Sequence, residues 1–270
     1  MKRMKTDTSL NLNKIVDLFR QLLEDRLIGI YLHGSLAMGC FHPDRSDIDF
    51  LVILKDKPDE DTYRKLARAV LRMADDMPEL PELEFSVLLE SAVKPFTYPT
   101  PFEFHYSPLH REKYRLDANY RCGGLTDEDL AAHLTIAYYR GIALYGPPLR
   151  ELYEPVDALY YTSSILNDIK DAARDILVNP LYMTLNLCRV LYYLKEGTIS
   201  SKKEGGEWAV QVVPDRYKAL IRHGLDEYSG VSARLEAETP LLPGFAEYML
   251  TEINRSLRER ESSGNRLTKE

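Results

Sequence analysis

The 270-residue sequence has few cysteines and lacks a long apolar run. Its three cysteines, Cys40, Cys122 and Cys188, are scattered and show no CxxC spacing, so neither a disulfide framework nor a zinc knuckle is predicted. Nowhere do about 18 uncharged apolar residues follow one another, and no apolar segment follows the basic N-terminal residues. We therefore expect no membrane partner and no export, and these absences favour a soluble protein of the reducing cytoplasm.

The sequence also lacks an excess of basic residues. It contains 35 Lys and Arg against 42 Asp and Glu, which gives a formal net charge of −7. Because binding along nucleic acid requires clustered positive charge, this balance argues against a nucleic-acid partner. Residues 151–250 hold 15 acidic and 10 basic residues, whereas residues 1–150 hold 23 and 20. The more acidic later part favours a small cationic partner, although acidic surfaces also maintain solubility.

The apolar residues predict a mixed sheet in the first part of the chain. Helical and extended patterns alternate through the first ninety residues, which is typical of a small sheet covered by helices. The expected helices span 13–27 and 61–73, and the expected strands span 27–32, 47–54 and 83–89. The proline-rich segment 91–126 is expected to be mostly loop, with one strand over 102–106.

From residue 127 onward the apolar spacing is helical almost throughout. The expected helices span 127–144, 158–177, 181–195, 203–213, 215–226 and 243–258. A Gly-Pro-Pro turn at residues 146–148 is the expected boundary. The sequence therefore predicts an α+β fold, with a mixed-sheet domain over 1–147 followed by an all-α helical domain over 148–270.

The most informative pattern is a Gly-Ser turn followed, after eleven intervening residues, by two acidic residues that open an apolar strand. Because strand side chains alternate in direction, Asp47 and Asp49 are expected on one face. Two such carboxylates suit Mg²⁺, which is usually held by one or two carboxylates together with substrate phosphates. Gly34 allows the backbone to approach a phosphate closely, and the hydroxyls of Ser35 and Ser46 are further candidate donors. Each half alone also fits a plain turn or solvated acids, but the combination predicts a nucleoside triphosphate site.

A third acidic residue, Glu84, stands at the start of the next predicted strand, LEFSVLL. It faces away from the apolar side chains of that strand, and an isolated carboxylate is costly to bury. Beside Asp47 and Asp49 it would serve as a third metal ligand or as the general base that removes a proton from an acceptor hydroxyl. The structural alternative is a strand-end glutamate paired with Arg or Lys. Glu82 and Glu90 flank the apolar run and are competing candidates.

The Gly-Ser turn and the acidic residues described above together resemble the motifs of a known enzyme family. Gly34-Ser35 with Asp47-Ile48-Asp49 resembles the signature of polymerase-beta-type nucleotidyltransferases, and the wider context is similar to the aminoglycoside adenylyltransferases of the spectinomycin/streptomycin group. The likeness spans nearly the whole chain. It implies a nucleotidyltransferase domain, a helical substrate-binding domain, and transfer of AMP from ATP to an antibiotic hydroxyl with release of pyrophosphate, which confers resistance. It also implies that Asp47 and Asp49 hold two Mg²⁺ ions and that Glu84 is the catalytic base.

The second half carries looser parts of the same likeness. The matching segments are Tyr145-Gly146-Pro147, Leu187-Cys188-Arg189, and 197–203 leading to Glu207-Trp208-Ala209. The resemblance implies that Lys202 reaches from the helical domain to the triphosphate and that Arg189 contacts the same anion. Arg189 also lies on a largely apolar helix, where a guanidinium requires an anionic partner. Relatives that accept streptomycin carry a Trp and an acid where this chain reads Ile176-Leu177-Val178-Asn179-Pro180, so the resemblance favours spectinomycin.

Three functions stay open on these residues. The favoured one is a monomeric, Mg²⁺- and ATP-dependent adenylyltransferase acting on a small cationic aminocyclitol in a cleft between the two domains. The second keeps the chemistry but uses another small molecule or a protein as acceptor. The third is a nucleotide-binding regulatory module without turnover, against which Glu84 argues because binding alone needs no base. Five histidines lack a metal-like or nucleophile-like partner set and are expected to be structural or solvated: His33, His42, His105, His110 and His133.

Overall fold

The computed structural model describes residues 2–43, 45–232, 234–235 and 239–267. The chain divides into two compact units, Met1–Ser164 and Ile165–Glu270. The domain boundary between residues 147 and 148 stays a prediction about where the functional domains meet.

Helices and strands alternate in the first part of the chain, and helices follow one another in the second. The strands are β1 (Leu27–Leu32), β2 (Ile48–Leu54), β3 (Leu83–Leu89), β4 (Thr100–Phe102), β5 (Phe104–Tyr106), β6 (Leu125–Asp127) and β7 (Ile142–Tyr145). The helices are α1 (Lys2–Leu23), α2 (Gly34–Ala37), α3 (Glu60–Asp76), α4 (Glu90–Val93), α5 (Pro108–Leu116), α6 (Leu130–Arg140), α7 (Leu149–Leu152), α8 (Ala158–Asn167), α9 (Ala172–Asp175), α10 (Pro180–Glu196), α11 (Lys202–Val212), α12 (Asp215–Tyr228) and α13 (Leu242–Leu267).

The first unit is built on a five-stranded mixed sheet with the strand order β5-β3-β2-β1-β7. β2 and β3 are parallel, whereas the other neighbouring pairs are antiparallel. A parallel pair needs a crossover, and α3 provides it. This helix begins where the carboxylate of Asp59 accepts a hydrogen bond from the backbone N–H of Thr62 at 2.7 Å. The predicted mixed sheet is confirmed.

Alternation along the strands creates a separate apolar core on each face of the sheet. On one face, Ile48 and Phe50 of β2 pack with buried residues of α1 and α3. Phe19 of α1 meets Phe50 and Phe85 edge to face, with ring centroids 5.5 and 5.1 Å apart. On the other face, Leu51 packs against buried residues of α6 and α7. The sheet is therefore covered on both sides, and polar residues remain at the ends of its strands.

The described part of the second unit is helical, as predicted, with α10 packed against α11, α12 and α13. α10 follows an Asn179 cap, begins at Pro180 and ends at Glu196, and the next residue, Gly197, has a φ of +70°. α11 begins with a capping box in which the side chains of Ser201 and Glu204 bond reciprocally to backbone N–H groups. No helix among the described residues combines the length and apolar character needed to cross a bilayer.

The predicted helix over 127–144 is wrong at its C-terminal end. α6 ends at Arg140, and Ile142–Tyr145 forms the strand β7, which pairs antiparallel with β1. A four-residue apolar run has no decisive period, so its pairing with a sheet edge overrides the helical interpretation.

Two other predicted elements differ in detail. Segment 91–126 contains two strands around Glu103 rather than one, together with α5 and β6. The predicted helix over 158–177 is divided into α8 and α9 by residues 168–171. At this break the side chain of Asp168 accepts hydrogen bonds from Tyr182 and Asn186 of α10. The first helix also starts earlier than predicted, at Lys2, and ends at Leu23.

Candidate active site

The acidic residues singled out in the sequence lie at one end of the sheet, where β1 ends and β2 and β3 begin. Asp47 immediately precedes β2, and Asp49 and Glu84 are directly paired positions on β2 and β3. Paired residues of neighbouring strands point to the same face of a sheet. Asp49 and Glu84 therefore share one face, opposite the buried rings of Phe50 and Phe85.

The two competing glutamates occupy different places. Glu82 precedes β3 and forms an ion pair with Arg111. Glu90 begins α4 directly after β3, at the far end of that strand from Asp49. Glu84 is thus the glutamate of this segment that pairs in register with Asp49.

Gly34 brings the backbone after β1 against Asp49. Its φ of +65° lies in the left-handed region that favours glycine. A Cβ added at Gly34 would collide with Oδ2 of Asp49, so only glycine permits this close approach. The backbone N–H of His33 also donates to the backbone oxygen of Asp49 at 2.9 Å. The position of this carboxylate therefore depends on the backbone around it.

Two serine hydroxyls next to these residues can donate to a ligand. Oγ of Ser35 is buried and has no hydrogen-bond partner within the described ranges of the chain. Leaving a buried polar group unsatisfied costs about 1–3 kcal/mol, so this hydroxyl suits a ligand oxygen. Oγ of Ser46 accepts from the backbone N–H of His42 at 3.1 Å, which leaves its own proton available to donate.

Two histidines that no sequence pattern links lie beside the acids. Nε2 of His133 on α6 lies 3.2 Å from Oδ2 of Asp129, and the ring centroids of His133 and His33 are 5.0 Å apart. Burial acts to lower the pKa of His133, but the hydrogen bond to Asp129 and the charges of Asp129, Glu84 and Asp49 raise it to about 9. Burial and the charge of His133 hold the pKa of His33 well below 6.5. His133 thus places positive charge near both carboxylates.

The chemistry of the acidic residues fits Mg²⁺. Asp47, Asp49 and Glu84 offer carboxylate oxygens, which this hard cation prefers. Because Gly34 has no side chain, the carboxylate of Asp49 can lie directly against the backbone there. Across the residues that the structure describes, no three His, Cys, Asp or Glu side chains form a closed metal-binding group. Mg²⁺ usually takes only one or two carboxylates and completes its coordination with water and substrate phosphates.

The two basic residues predicted to contact the triphosphate lie on neighbouring helices of the second unit. Arg189 is on α10, and Lys202 is the first residue of α11. α11 packs so closely that a Cβ added at Gly205 would lie 2.6 Å from Cα of Arg189. Nε of Arg189 is buried without a hydrogen-bond partner in the described part of the chain. An anionic ligand would satisfy that donor.

Comparisons with known proteins show which proteins the chain is similar to. Residues 12–100 match a nucleotidyltransferase domain, and residues 151–252 match the C-terminal domain of aminoglycoside adenylyltransferases. The chain is 29% identical over 258 residues to an aminoglycoside (3'') (9) adenylyltransferase of Shigella flexneri, covering 92% of this chain and 96% of the relative. Over both of these regions the chain is similar to aminoglycoside adenylyltransferases. It is also 25% identical over 256 residues to a spectinomycin 9-adenylyltransferase of Campylobacter jejuni, covering 91% and 95%.

A crystal structure of a spectinomycin adenyltransferase from Enterococcus faecialis with ATP and spectinomycin has the same fold. The TM-score is 0.78 at 21% sequence identity, and the match covers 91% of this chain and 99% of that chain. The predicted order, a nucleotidyltransferase domain followed by a helical domain, is therefore confirmed. The resemblance to aminoglycoside adenylyltransferases and the enzyme class, a nucleotidyltransferase, are confirmed as well.

The sequence analysis missed two features around the candidate site residues. The proximity of His133 to the acids depends on how α6 packs on the sheet, and no local pattern signals it. The second feature is Asp168 beside α10, where it contacts Tyr182 and Asn186. A signal was present here, because Tyr182, Asn186 and Arg189 have the spacing that places residues on one face of a helix.

Proposed function

We propose that this protein transfers AMP from ATP to a hydroxyl group of a cationic aminocyclitol, spectinomycin first of all, in a Mg²⁺-dependent reaction that confers resistance. The observation that carries the proposal is the pairing of Asp49 and Glu84 on one face of the sheet, beside Gly34. Relatives named aminoglycoside and spectinomycin adenylyltransferases support this acceptor class. The acidic balance of residues 151–250 suits a protonated acceptor.

The proposed reaction needs a base for the acceptor hydroxyl. Glu84 takes the hydroxyl proton, the acceptor oxygen forms a bond to the α-phosphorus, and the bond from that phosphorus to the departing pyrophosphate breaks in line. Asp47 and Asp49, together with Glu84, would hold two Mg²⁺ ions. When bound, these ions neutralise negative charge on the attacking and leaving oxygens.

The remaining site residues bind and orient the nucleotide in this proposal. The unpartnered hydroxyl of Ser35, the backbone at Gly34 and the hydroxyl of Ser46 donate to phosphate oxygens. Arg189 and Lys202 bind the triphosphate, and the buried Nε of Arg189 supports this assignment. Holding the reactants in line supplies part of the acceleration, since orientation alone lowers barriers substantially.

A direct assay tests the proposal. The purified protein is incubated with MgATP and, in separate reactions, spectinomycin, streptomycin and a neutral sugar. We expect pyrophosphate release and a mass gain of one AMP with spectinomycin, a weaker reaction with streptomycin, and none with the neutral sugar. Chelation of Mg²⁺ and the Asp49→Asn substitution should each abolish transfer. Tight ATP binding without transfer to any aminoglycoside would contradict the proposal and favour a regulatory module.

A further inference from the structure

One carboxylate in the second unit contacts residues that surround both basic side chains. Asp168 directly follows α8 and lies beside α10. It accepts hydrogen bonds from the hydroxyl of Tyr182, at 3.0 and 2.9 Å to its two oxygens, and from Nδ2 of Asn186 at 2.7 Å. Its Oδ2 also lies 3.6 Å from Nη2 of Arg189. Three donors on one face of α10 therefore converge on a single acidic side chain.

The first branch of this network leads to Arg189 through Asn186. An ionised carboxylate only accepts hydrogen bonds, so Asp168 determines that the Nδ2 end of the Asn186 amide faces it. The Oδ1 end then faces Arg189 and accepts a hydrogen bond from Nη2. The guanidinium is held at Nη2, whereas Nε is buried and has no partner among the described residues. One end of Arg189 is thus anchored and another donor is left for an anion.

The second branch leads to Lys202 through Tyr182. The Asp168 carboxylate anchors the Tyr182 hydroxyl, which limits where the ring can lie. Nζ of Lys202 lies 4.0 Å from the centroid of that ring. A cation over an aromatic face at this distance is attracted to it. Fixing the ring therefore restricts the position of the ammonium group.

We propose that Asp168 is a positioning residue for triphosphate binding: it orients Arg189 through Asn186 and Lys202 through the Tyr182 ring. The inference rests on the proposed function, because Arg189 and Lys202 are assigned there to the triphosphate. An acid this close to a phosphate site would repel phosphate if it were free. Asp168 instead has a positive neighbour that offsets its charge, because its Oδ2 lies 3.6 Å from Nη2 of Arg189, and its side chain is only 28% exposed.

Nucleotide binding by Asp168→Asn tests the inference without any acceptor. Titration calorimetry with MgATP and with AMP compares ligands that do and do not carry the β- and γ-phosphates. We expect ATP to bind about tenfold more weakly, since charge-assisted hydrogen bonds are roughly twice as strong as neutral ones, and AMP affinity to change less than about twofold. Asp168→Glu, which keeps the carboxylate, should recover part of the ATP affinity.

Asp171→Asn is the matched control. Asp171 lies three residues further along, its side chain is 47% exposed, and its Oδ2 lies 3.4 Å from Nη2 of Arg174. We expect this variant to bind ATP and AMP like the unsubstituted protein. Thermal unfolding midpoints of both Asn variants should lie close together if Asp168 acts on the ligand site rather than on folding.

Two further variants separate the branches. Tyr182→Phe keeps the ring under Lys202 but removes its anchor, so its loss of ATP affinity should be smaller than that of Asp168→Asn. In an Arg189→Ala, Lys202→Ala background, Asp168→Asn should have no further effect, because the residues through which it acts are gone.

Three results would overturn the inference: unchanged ATP affinity in Asp168→Asn, equal losses for ATP and AMP together with a lowered unfolding midpoint, or an unsubstituted protein that binds ATP no better than AMP. Failure of the proposed function looks different. In that case the protein binds ATP, Asp168→Asn weakens this binding, and spectinomycin is not modified.

Discussion

The acids of the first unit and the cations of the second unit are held in place by different means. Asp49 and Glu84 are positioned by backbone: the register of β2 with β3, and the close approach at Gly34. Arg189 and Lys202 have long flexible side chains, and neighbouring side chains restrict them. This difference predicts that a small backbone change near Asp49 and Glu84 should strongly reduce AMP transfer. ATP binding by Arg189 and Lys202 should depend most on the side chains around them.

Among the glycine substitutions that test this comparison, the largest effect is expected for Gly34→Ala. The added Cβ would collide with Oδ2 of Asp49, and the φ of +65° disfavours alanine. A displacement of about 1 Å in a catalytic group can cost about 100-fold in rate, so we expect at least that loss in kcat for AMP transfer. Steady-state kinetics with spectinomycin and MgATP measure it.

Gly39→Ala is the matched control for that substitution. Gly39 has a similar φ of +74°, but nothing lies within 4 Å of an added Cβ. In both variants alanine must adopt a left-handed backbone conformation, which lowers the free energy of unfolding by about 1–2 kcal/mol. Denaturant unfolding measures this loss. Only Gly34→Ala should lose activity. Equal activity losses would show that backbone strain, rather than contact with Asp49, is responsible.

A backbone-contact change in the second unit sharpens the comparison. In Gly205→Ala the new Cβ would lie 2.6 Å from Cα of Arg189, which cannot move independently of α10. Overpacking of this kind lowers the free energy of unfolding by about 3 kcal/mol. We expect the folded fraction of Gly205→Ala to lose less ATP affinity than Asp168→Asn does.

Gly224→Ala provides the control in the same unit. The atoms nearest to its added Cβ are side-chain carbons of Leu181 and Leu185, both at 3.7 Å, which is ordinary contact. Because glycine within a helix is less favourable than alanine, this substitution should raise the free energy of unfolding by about 0.5–1 kcal/mol. If Gly205→Ala abolished ATP binding without lowering the free energy of unfolding, the positions of Arg189 and Lys202 would depend on the backbone, contrary to this account.

The smallest expected effect is a change of stability with pH, and it does not involve Asp47, Asp49 or Glu84. Nδ1 of His105 on β5 lies 2.9 Å from Oγ of Ser86, and burial, followed by the charges of His110 and His133, lowers the pKa of His105 from 6.5 to about 4. The folded state keeps this ring neutral while the unfolded state protonates it below pH 6.5. The contribution of the neutral His105 ring to the free energy of unfolding is therefore complete above pH 6.5 and is lost as the pH falls toward 4.

Urea unfolding at two pH values measures this loss. At 1.36 kcal/mol per pKa unit, the contribution of His105 should fall by roughly 2 kcal/mol between pH 7 and pH 5. His105→Gln, which does not titrate, should show a smaller decrease over the same interval. An identical decrease in both proteins would assign the acid sensitivity to other groups.

Much of the first unit could be predicted because its strands are regular. Alternation along LEFSVLL placed Glu84 on the face opposite Phe85, and the strand after Asp47 was expected within one residue of where β2 begins. The strand at Ile142–Tyr145 could not be predicted in this way. It exists because β1 offers it a pairing edge, and that edge is set by tertiary structure rather than by local period.

The candidate site shows the same division. The roles assigned to Asp47, Asp49 and Glu84 came from local order and spacing together with a family resemblance, and the structure pairs two of these residues in register. His133 lies near them although it stands 84 positions after Asp49 in the sequence. No motif in the sequence indicates this proximity. Asp168 likewise reaches α10 through a break in a region predicted to be one continuous helix.

The most direct test of the central claim is single-turnover AMP transfer by Glu84→Gln, with Glu90→Gln at the other end of the strand as control. The substitution removes the proposed base while keeping nearly the same shape. Since general base catalysis contributes about 10²–10⁴-fold, we predict a loss of that size in transfer to spectinomycin, with ATP still bound and with normal transfer by Glu90→Gln. Transfer by Glu84→Gln at the unsubstituted rate would contradict the account.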